Sequence, residues 1–200
     1  GNGSSAELPA SGNFSQPYVL SVSHLYPYKN IRELILGFNL ARAEMEARGL
    51  RLVLLGDERG KRYYAGLTKL VRQRNLEHLV HFAGGVPHAT VATAMQGCDF
   101  FVFQSTCENC PITLIEALGA GIPICCSSAG VMPEIAGKAV LYFDPRSPTS
   151  IAEALVHMAR DADLRQRMGG MAQVQARRFP TWQEMGALTL ATLERVARDG

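Results

Sequence analysis

Two glutamates, Glu108 and Glu116, stand eight residues apart around the start of an apolar helical stretch. Glu108 falls in the loop Q-S-T-C-E-N-C-P at 104–111. Glu116 lies beside Leu114, Ile115, Ala117 and Leu118, where an unpaired carboxylate is costly and calls for a partner. Between them, Asn109, Cys110, Pro111 and Ile112 place main chain at a helix start. Backbone N–H groups there favour an anion, with Pro111 giving up one donor. Lys29 ends the segment S-H-L-Y-P-Y-K ahead of Asn30 and a second helix start, a natural anion site. Gly56 and Gly84-Gly85 follow apolar runs and permit close backbone approach. Cys107 and Cys110 form C-x-x-C, the spacing of a redox pair or of half a zinc site. Zinc needs two more ligands, and adjacent Cys125 and Cys126 on a strand would point to opposite faces, so packing is the expected role. His78, His81, His88 and His157 are scattered and read as surface or ordinary core. The turn G-D-E-R-G-K lacks the P-loop spacing, and no G-x-G-x-x-G follows the first strand.

Elements that could position these groups alternate along the chain. Short apolar runs at Tyr18–Ser23, Arg51–Leu55, Leu79–Phe82, Asp99–Phe103, Ile122–Cys126 and Val140–Phe143 predict buried parallel strands. Ile31, Leu34, Ile35, Phe38 and Met45 share one helical face, with Asn30 as N-cap and Gly49 as stop. Helices are also predicted at Lys61–Asn75, Pro87–Gln96 and Pro111–Gly119. Three more, at Ser147–Arg160, Asp163–Arg178 and Thr181–Arg198, carry breaks at Gly169-Gly170 and Pro180. Trp182, Met185, Thr189, Thr192 and Val196 give the last an apolar-leaning face. Asp161-Ala162-Asp163 reads as a helix start rather than a D-x-D metal motif. The pattern is α/β: a doubly wound, mostly parallel six-stranded sheet with helices on both faces and a helical C-terminal end. Ligands bind outside the carboxyl ends of such strands, so the turns at 23–30, 56–61, 84–87, 104–111 and 127–133 should line the site.

The chain has 200 residues, 47% hydrophobic and 19% charged, with a net charge of +2. That is too apolar for a disordered chain and too balanced to argue for a nucleic-acid partner. No apolar run is long enough to span a bilayer, and no secretory signal is visible at the N-terminus. Five cysteines, two of them adjacent, fit reduced thiols in a cytoplasmic setting. Residues 1–17 are Gly-, Ser- and Pro-rich and read as a flexible linker or tail. Residues 18–200 read as one domain. The chain begins at Gly1, so the expectation is a piece excised from a longer, two-domain protein.

The segments V-S-H-L-Y-P-Y-K-N at 22–30, E-N-C-P-I-T-L-I-E-A at 108–117 and G-A-G-I-P at 119–123 carry a resemblance, as do P-E-I at 133–135 and F-P-T-W at 179–182. In this order they resemble the nucleotide-sugar-binding C-terminal domain of retaining GT-B glycosyltransferases of family 4, glycosyl transferases group 1. The resemblance covers Tyr18 to about Ala197 and implies a Rossmann-like half of a GT-B fold. It implies a hexosyltransferase of glycan biosynthesis that moves a sugar from a nucleotide diphosphate sugar to an acceptor hydroxyl, without metal or other cofactor. Lys29 would contact the donor diphosphate. Glu108, the candidate catalytic residue, and the main chain of Asn109, Cys110, Pro111 and Ile112 would surround the sugar and phosphates. Glu116 would accept hydrogen bonds from the ribose hydroxyls, and Gly85-Val86 would meet the base. Ser23-His24 stands where many members have Gly-Arg, which places His24 at the diphosphate. Glu58 stands where a second glycine is common, with Arg59 and Lys61 as replacement cations. The implied partner is an N-terminal acceptor domain of the same protein. That half would also supply any peripheral contact with the inner membrane surface. Three alternatives remain open: a non-catalytic nucleotide-sugar-binding module, another GT-B enzyme such as a sugar-nucleotide epimerase or a phosphorylase, and a redox protein using Cys107 and Cys110.

Overall fold

The computed structural model describes residues 16–58 and 60–199. Most of the expected tail, and Arg59, lie outside the described residues. Six strands are present: β1 (Tyr18–Val22), β2 (Arg51–Leu55), β3 (Val80–Gly84), β4 (Phe100–Phe103), β5 (Ile124–Ser127) and β6 (Leu141–Phe143). They form one sheet in the order β3-β2-β1-β4-β5-β6, every neighbouring pair parallel. All six sequence-predicted strands are found, with no end moved by more than two residues. The order reverses between β1 and β4, so the loops that leave these two strands diverge and open a crevice between them.

Alternate side chains of each strand feed two separate cores. Val19, Leu52, Leu54, Phe100, Val102 and Cys125 pack on one face. Tyr18, Leu20, Val53, Leu55, Phe101, Ile124 and Cys126 pack on the other. Cys125 and Cys126 therefore point oppositely, as the two-residue period of a strand requires. Burial on both faces is why these strands read as unbroken apolar runs.

Helices α1 (Ile31–Leu40), α2 (Arg42–Ala47), α3 (Lys61–Gln73) and α7 (Pro148–Arg160) cover the first core. Helices α4 (His88–Gly97), α5 (Ile112–Gly119), α6 (Met132–Ala136) and the middle of α8 (Ala162–Ala176) cover the second. Asp161 caps α8 by accepting from Leu164 N–H at 2.7 Å, which makes 161–163 a helix start. Thr181 and Glu184 form a reciprocal capping box at the start of α9 (Trp182–Asp199). The apolar residues of α9, including Trp182, Met185, Leu188, Leu193 and Val196, are all exposed. Among the described residues no helix is long and apolar enough to cross a membrane.

Several local expectations are corrected. The helix expected from 31 through 48 is interrupted at Ala41, where Glu44 N–H bonds the Ala41 carbonyl and the ladder tightens to i+3 spacing. Asn30 does not cap α1 with its side chain. It sits in the left-handed region at φ 59°, and its Nδ2 donates to the Pro145 carbonyl at 2.7 Å. The α6 turn lies partly inside a stretch read as loop, with Pro133 in its first turn. Gly169-Gly170 does not break α8, which runs through both. Gly169 is a contact glycine: a Cβ there would stand 2.6 Å from the Gly121 carbonyl oxygen.

The two glycines of α8 should therefore respond to alanine with opposite signs. Gly170 has open space around it, so Gly170→Ala should stabilise the fold by roughly 0.5–1 kcal/mol through helix propensity. Gly169→Ala gains the same propensity but drives a methyl into backbone, and should cost about 1–3 kcal/mol net. Urea melts of the two variants check this, and equal midpoint shifts would refute it.

Candidate donor-binding site

The site is built on the loops that follow β1, β2, β3 and β4. After β1, Ser23 N–H bonds the Leu55 carbonyl at 2.9 Å and Leu25 N–H bonds the Asp57 carbonyl at 3.2 Å, so the first two loops run side by side. Gly56 makes this approach feasible. Its φ is +149°, and a Cβ would stand 1.9 Å from the Ser23 carbonyl oxygen. The first loop then closes into a 3-10 turn, Pro27–Lys29. The Tyr26 and Tyr28 rings stack at 5.9 Å, and the Lys29 ammonium lies 5.1 Å from the centre of the Tyr28 ring.

Lys29 and Glu108, expected at one site from separate motifs, meet directly. Nζ of Lys29 donates to Oε1 of Glu108 at 2.5 Å, with side chains only 16% and 10% exposed. The ammonium carries three protons, so it can keep this bond and offer another donor outward. Ser105 and Gln104, which lead into the Glu108 loop, are buried. Gln104 bonds both Ser21 of β1 and the Lys29 carbonyl. Sequence reasoning missed this residue: a glutamine closing an apolar strand carries no motif, although a polar amide next to F-F-V-F was the available signal.

A cleft of about 540 Å³ opens at this edge, lined by Ser23, His24, Lys29, Gly56, Asp57, Gly85, Val86 and Thr113 among others. His24, Lys29, Gly85 and Val86 thus line it as a group. His24 Nδ1 stands 3.9 Å from Asp57 Oδ2, both half-exposed. Asp57 lies against the third loop, where a Cβ on Gly85 would overlap its carboxylate. The Ser23 hydroxyl is buried with no hydrogen-bond partner among the described residues, which leaves a polar group on the cleft wall unspent. A cavity of about 700 Å³ lies outside the switch point, between Pro27 and Arg32 on one side and Lys61, Tyr63 and Leu67 of α3 on the other. It holds Lys61 but no other expected site residue.

At the start of α5 the expected amide cradle is smaller than the spacing suggests. Ile112 N–H turns back to the Cys110 carbonyl at 2.9 Å, and Pro111 has no N–H. Of the four expected residues, Asn109 and Cys110 are left as main-chain donors, and both are exposed. Pro111 is buried beneath them, while the Ile112 side chain faces solvent. Glu116, one turn further, is partly exposed rather than buried among its apolar neighbours, and its Oε1 lies 2.9 Å from His88 Nε2. Its side chain is 36% exposed, and that of His88 is 82% exposed. His88, read as surface or ordinary core, is on the surface, but its contact with Glu116 was not foreseen. The signal for it was its place, two residues beyond Gly85-Val86 at the head of α4.

Cys107 and Cys110 are exposed and free, while Cys125 and Cys126 are buried. Among the described residues no group of three or more His, Cys, Asp and Glu side chains gathers to hold a metal ion. Burial pushes the Cys98 thiol up to about 12 and raises those of Cys125 and Cys126 further.

An all-parallel, doubly wound sheet with polar loops converging at its switch point defines a Rossmann-like α/β domain. The chain belongs to the family described as glycosyl transferases group 1, whose sequence profile matches residues 6–175. It is 27% identical over 175 residues to the O-antigen chain mannosyltransferase B of Escherichia coli, covering 88% of this chain and 45% of that one. It is 23% identical over 193 residues to the MMP alpha-(1->4)-mannosyltransferase of Mycolicibacterium hassiacum, covering 94% and 45%. The chain thus spans less than half the length of these two relatives. Its fold matches Anabaena Alr3699/HepE, solved in complex with UDP and glucose, with a TM-score of 0.79 at 23% identity, over 92% of this chain and 48% of that one. It also matches the C-terminal domain of a glycosyl transferase group 1 family protein, LpcC, from Francisella tularensis. There the TM-score is 0.71 at 19% identity, over 82% of this chain and 87% of that one.

Native alkylation separates the cysteine classes. Iodoacetamide at about pH 8 should modify Cys107 and Cys110 quickly, because the thiolate is the nucleophile and their sulfurs are accessible. Cys98, Cys125 and Cys126 should react only after denaturation, as read by peptide mass spectrometry. Fast native labelling of Cys125 or Cys126 would contradict the two-faced core.

Proposed function

We propose that this chain is the donor-binding half of a glycosyltransferase, taking a nucleotide diphosphate sugar at the switch point between β1 and β4. The observation that carries this reading is the Lys29–Glu108 pair beside the cleft, formed by two of the segments that carry the family resemblance, both inside the stretch that the family profile matches. The names of relatives support it: the two relatives given above are mannosyltransferases, and the Anabaena neighbour was solved with UDP and glucose.

In this reading the Lys29 ammonium holds the diphosphate and stabilises the negative charge that grows on it as the sugar–phosphate bond breaks. Lys29 holds Glu108 turned towards the sugar, and Glu108 is the acidic group nearest the reacting carbon. His24 and the Ser23 hydroxyl donate to phosphate oxygens from the opposite wall, and the Asn109 and Cys110 amides do so from the α5 side. Gly85-Val86 presents main chain to the base. Glu116 accepts from the ribose hydroxyls with the oxygen that His88 leaves free. Transfer proceeds with retention and without a metal. The acceptor binds to an N-terminal domain of the same protein, which closes the other side of the cleft and docks at the inner, cytoplasmic membrane surface. This half alone transfers no sugar.

Calorimetry with UDP, GDP, uridine and guanosine tests the assignment of Lys29. Lys29→Ala should remove a charge-assisted contact of roughly 1.5–3 kcal/mol, weakening the diphosphates by about tenfold or more and leaving the nucleosides nearly unchanged. Equal weakening of both classes would show that Lys29 acts through loop structure.

Glu116→Gln should weaken ribonucleotides by about tenfold, in line with ~1–3 kcal/mol for a charged acceptor. The loss should shrink for a 2′-deoxynucleotide, which already lacks one of the two hydroxyls. The same loss for both sugars, at unchanged melting temperature, would remove Glu116 from the ribose.

A further inference from the structure

Two of the loops of the proposed donor site, those after β1 and β4, are stitched together by one buried side chain. Gln104, the first residue after β4, is 2% exposed. Its Oε1 accepts from Ser21 Oγ of β1 at 2.9 Å, and its Nε2 donates to the Lys29 carbonyl at 2.8 Å. A carbonyl only accepts, so the nitrogen must face Lys29, and the oxygen is left for the Ser21 hydroxyl. Two residues on, Thr106 donates to the Tyr28 carbonyl through its N–H at 3.0 Å and its Oγ1 at 3.1 Å. Consecutive carbonyls of the 3-10 turn are thus held by the β4 loop, although about 75 residues of chain separate them. The Lys29 side chain leaves this held turn and returns to the same β4 loop at Glu108.

We infer that Gln104 is a positioning residue of the diphosphate site: it sets where the Lys29 ammonium stands and acts on a bound diphosphate only through Lys29. The inference rests on the donor-site reading above and assigns to it a residue with no direct ligand contact. Three hydrogen bonds tie carbonyls of the turn to the β4 loop, and a fourth ties Gln104 to Ser21. Losing the Gln104 amide removes two of them, one being the only one of the four at the Lys29 carbonyl. The freed carbonyl is left unpaired in a half-buried turn, so the turn relaxes towards water and carries the ammonium with it.

The test is a double-mutant cycle on the whole 200-residue chain, read by calorimetry with UDP and GDP against uridine and guanosine. Gln104→Leu should weaken the diphosphates by about fivefold to tenfold and the nucleosides by less than about twofold. In the Lys29→Ala background the same change should lose its effect on the diphosphates, because the group it positions is gone. Ser21→Ala, which frees the Gln104 amide with less disturbance of the core, should give a smaller loss of the same diphosphate-selective kind. This variant decides the matter if Gln104→Leu does not fold. Equal losses for nucleosides and diphosphates, or a full additive loss on top of Lys29→Ala, would overturn the inference while leaving the donor site in place. A wild-type chain that binds neither diphosphate would overturn both.

Discussion

The Lys29 ammonium and the Glu108 carboxylate face each other from loops 79 residues apart in the chain. The arrangement around them follows from making that contact in a partly dry place. Two long charged side chains lose rotamer freedom when they pair, and an exposed pair returns little for it. Here the cost is lowered beforehand. The turn that carries Lys29 is tied at two consecutive carbonyls, and the loop that carries Glu108 leaves a buried Ser105. The pair is thus assembled largely on fixed backbone, which is what a site must provide if it is to meet charge without reorganising.

Fixed backbone requires a fixed sheet. β1 and β4 are the two central strands and are covered on both faces by separate apolar cores. Their carboxyl ends therefore cannot shift independently, and the polar residues that follow them inherit that rigidity. Ser21 and Gln104 are the points where the apolar strands give way to polar loops, and both are buried and mutually bonded. Buried polar groups need partners, and satisfying these two fixes the spacing of the loops above them.

The second half of the site has a different character. Glu116 and His88 meet at an exposed edge between α4 and α5. Water and a ligand can compete for such a contact, so it suits recognition of hydroxyls better than restraint of a charged group. This edge of the sheet therefore grades from a held, partly buried cation at Lys29 to open hydrogen-bonding groups at Glu116 and His88.

The linear chain determined a good deal. Six apolar runs of strand length, interleaved with helical periodicity, are enough for a doubly wound sheet, because a strand buried on both faces cannot alternate with polar residues. The placement of Lys29, Glu108 and Glu116 around helix starts marked them as candidates, while Gly85-Val86 and His24 were named as site residues only through the family resemblance. What it did not determine was contact across the chain. Nothing local shows that β1 lies beside β4, and only that adjacency brings Lys29 to Glu108 and places Gln104 between Ser21 and the Lys29 carbonyl. His88 lies on the surface, one of the two places the sequence allowed it, but its contact with Glu116 had no local sign because that partner is 28 residues away. Asn30 looked like a cap until a loop 115 residues distant offered its amide a carbonyl. Gly169 looked like a helix break, because a glycine required for close approach to Gly121 has no mark distinguishing it from one that ends a helix. Short-range pattern is set by burial and backbone preference, which each residue expresses locally. Hydrogen-bond partners and close approaches between distant segments are set by packing, which exists only once the sheet has formed.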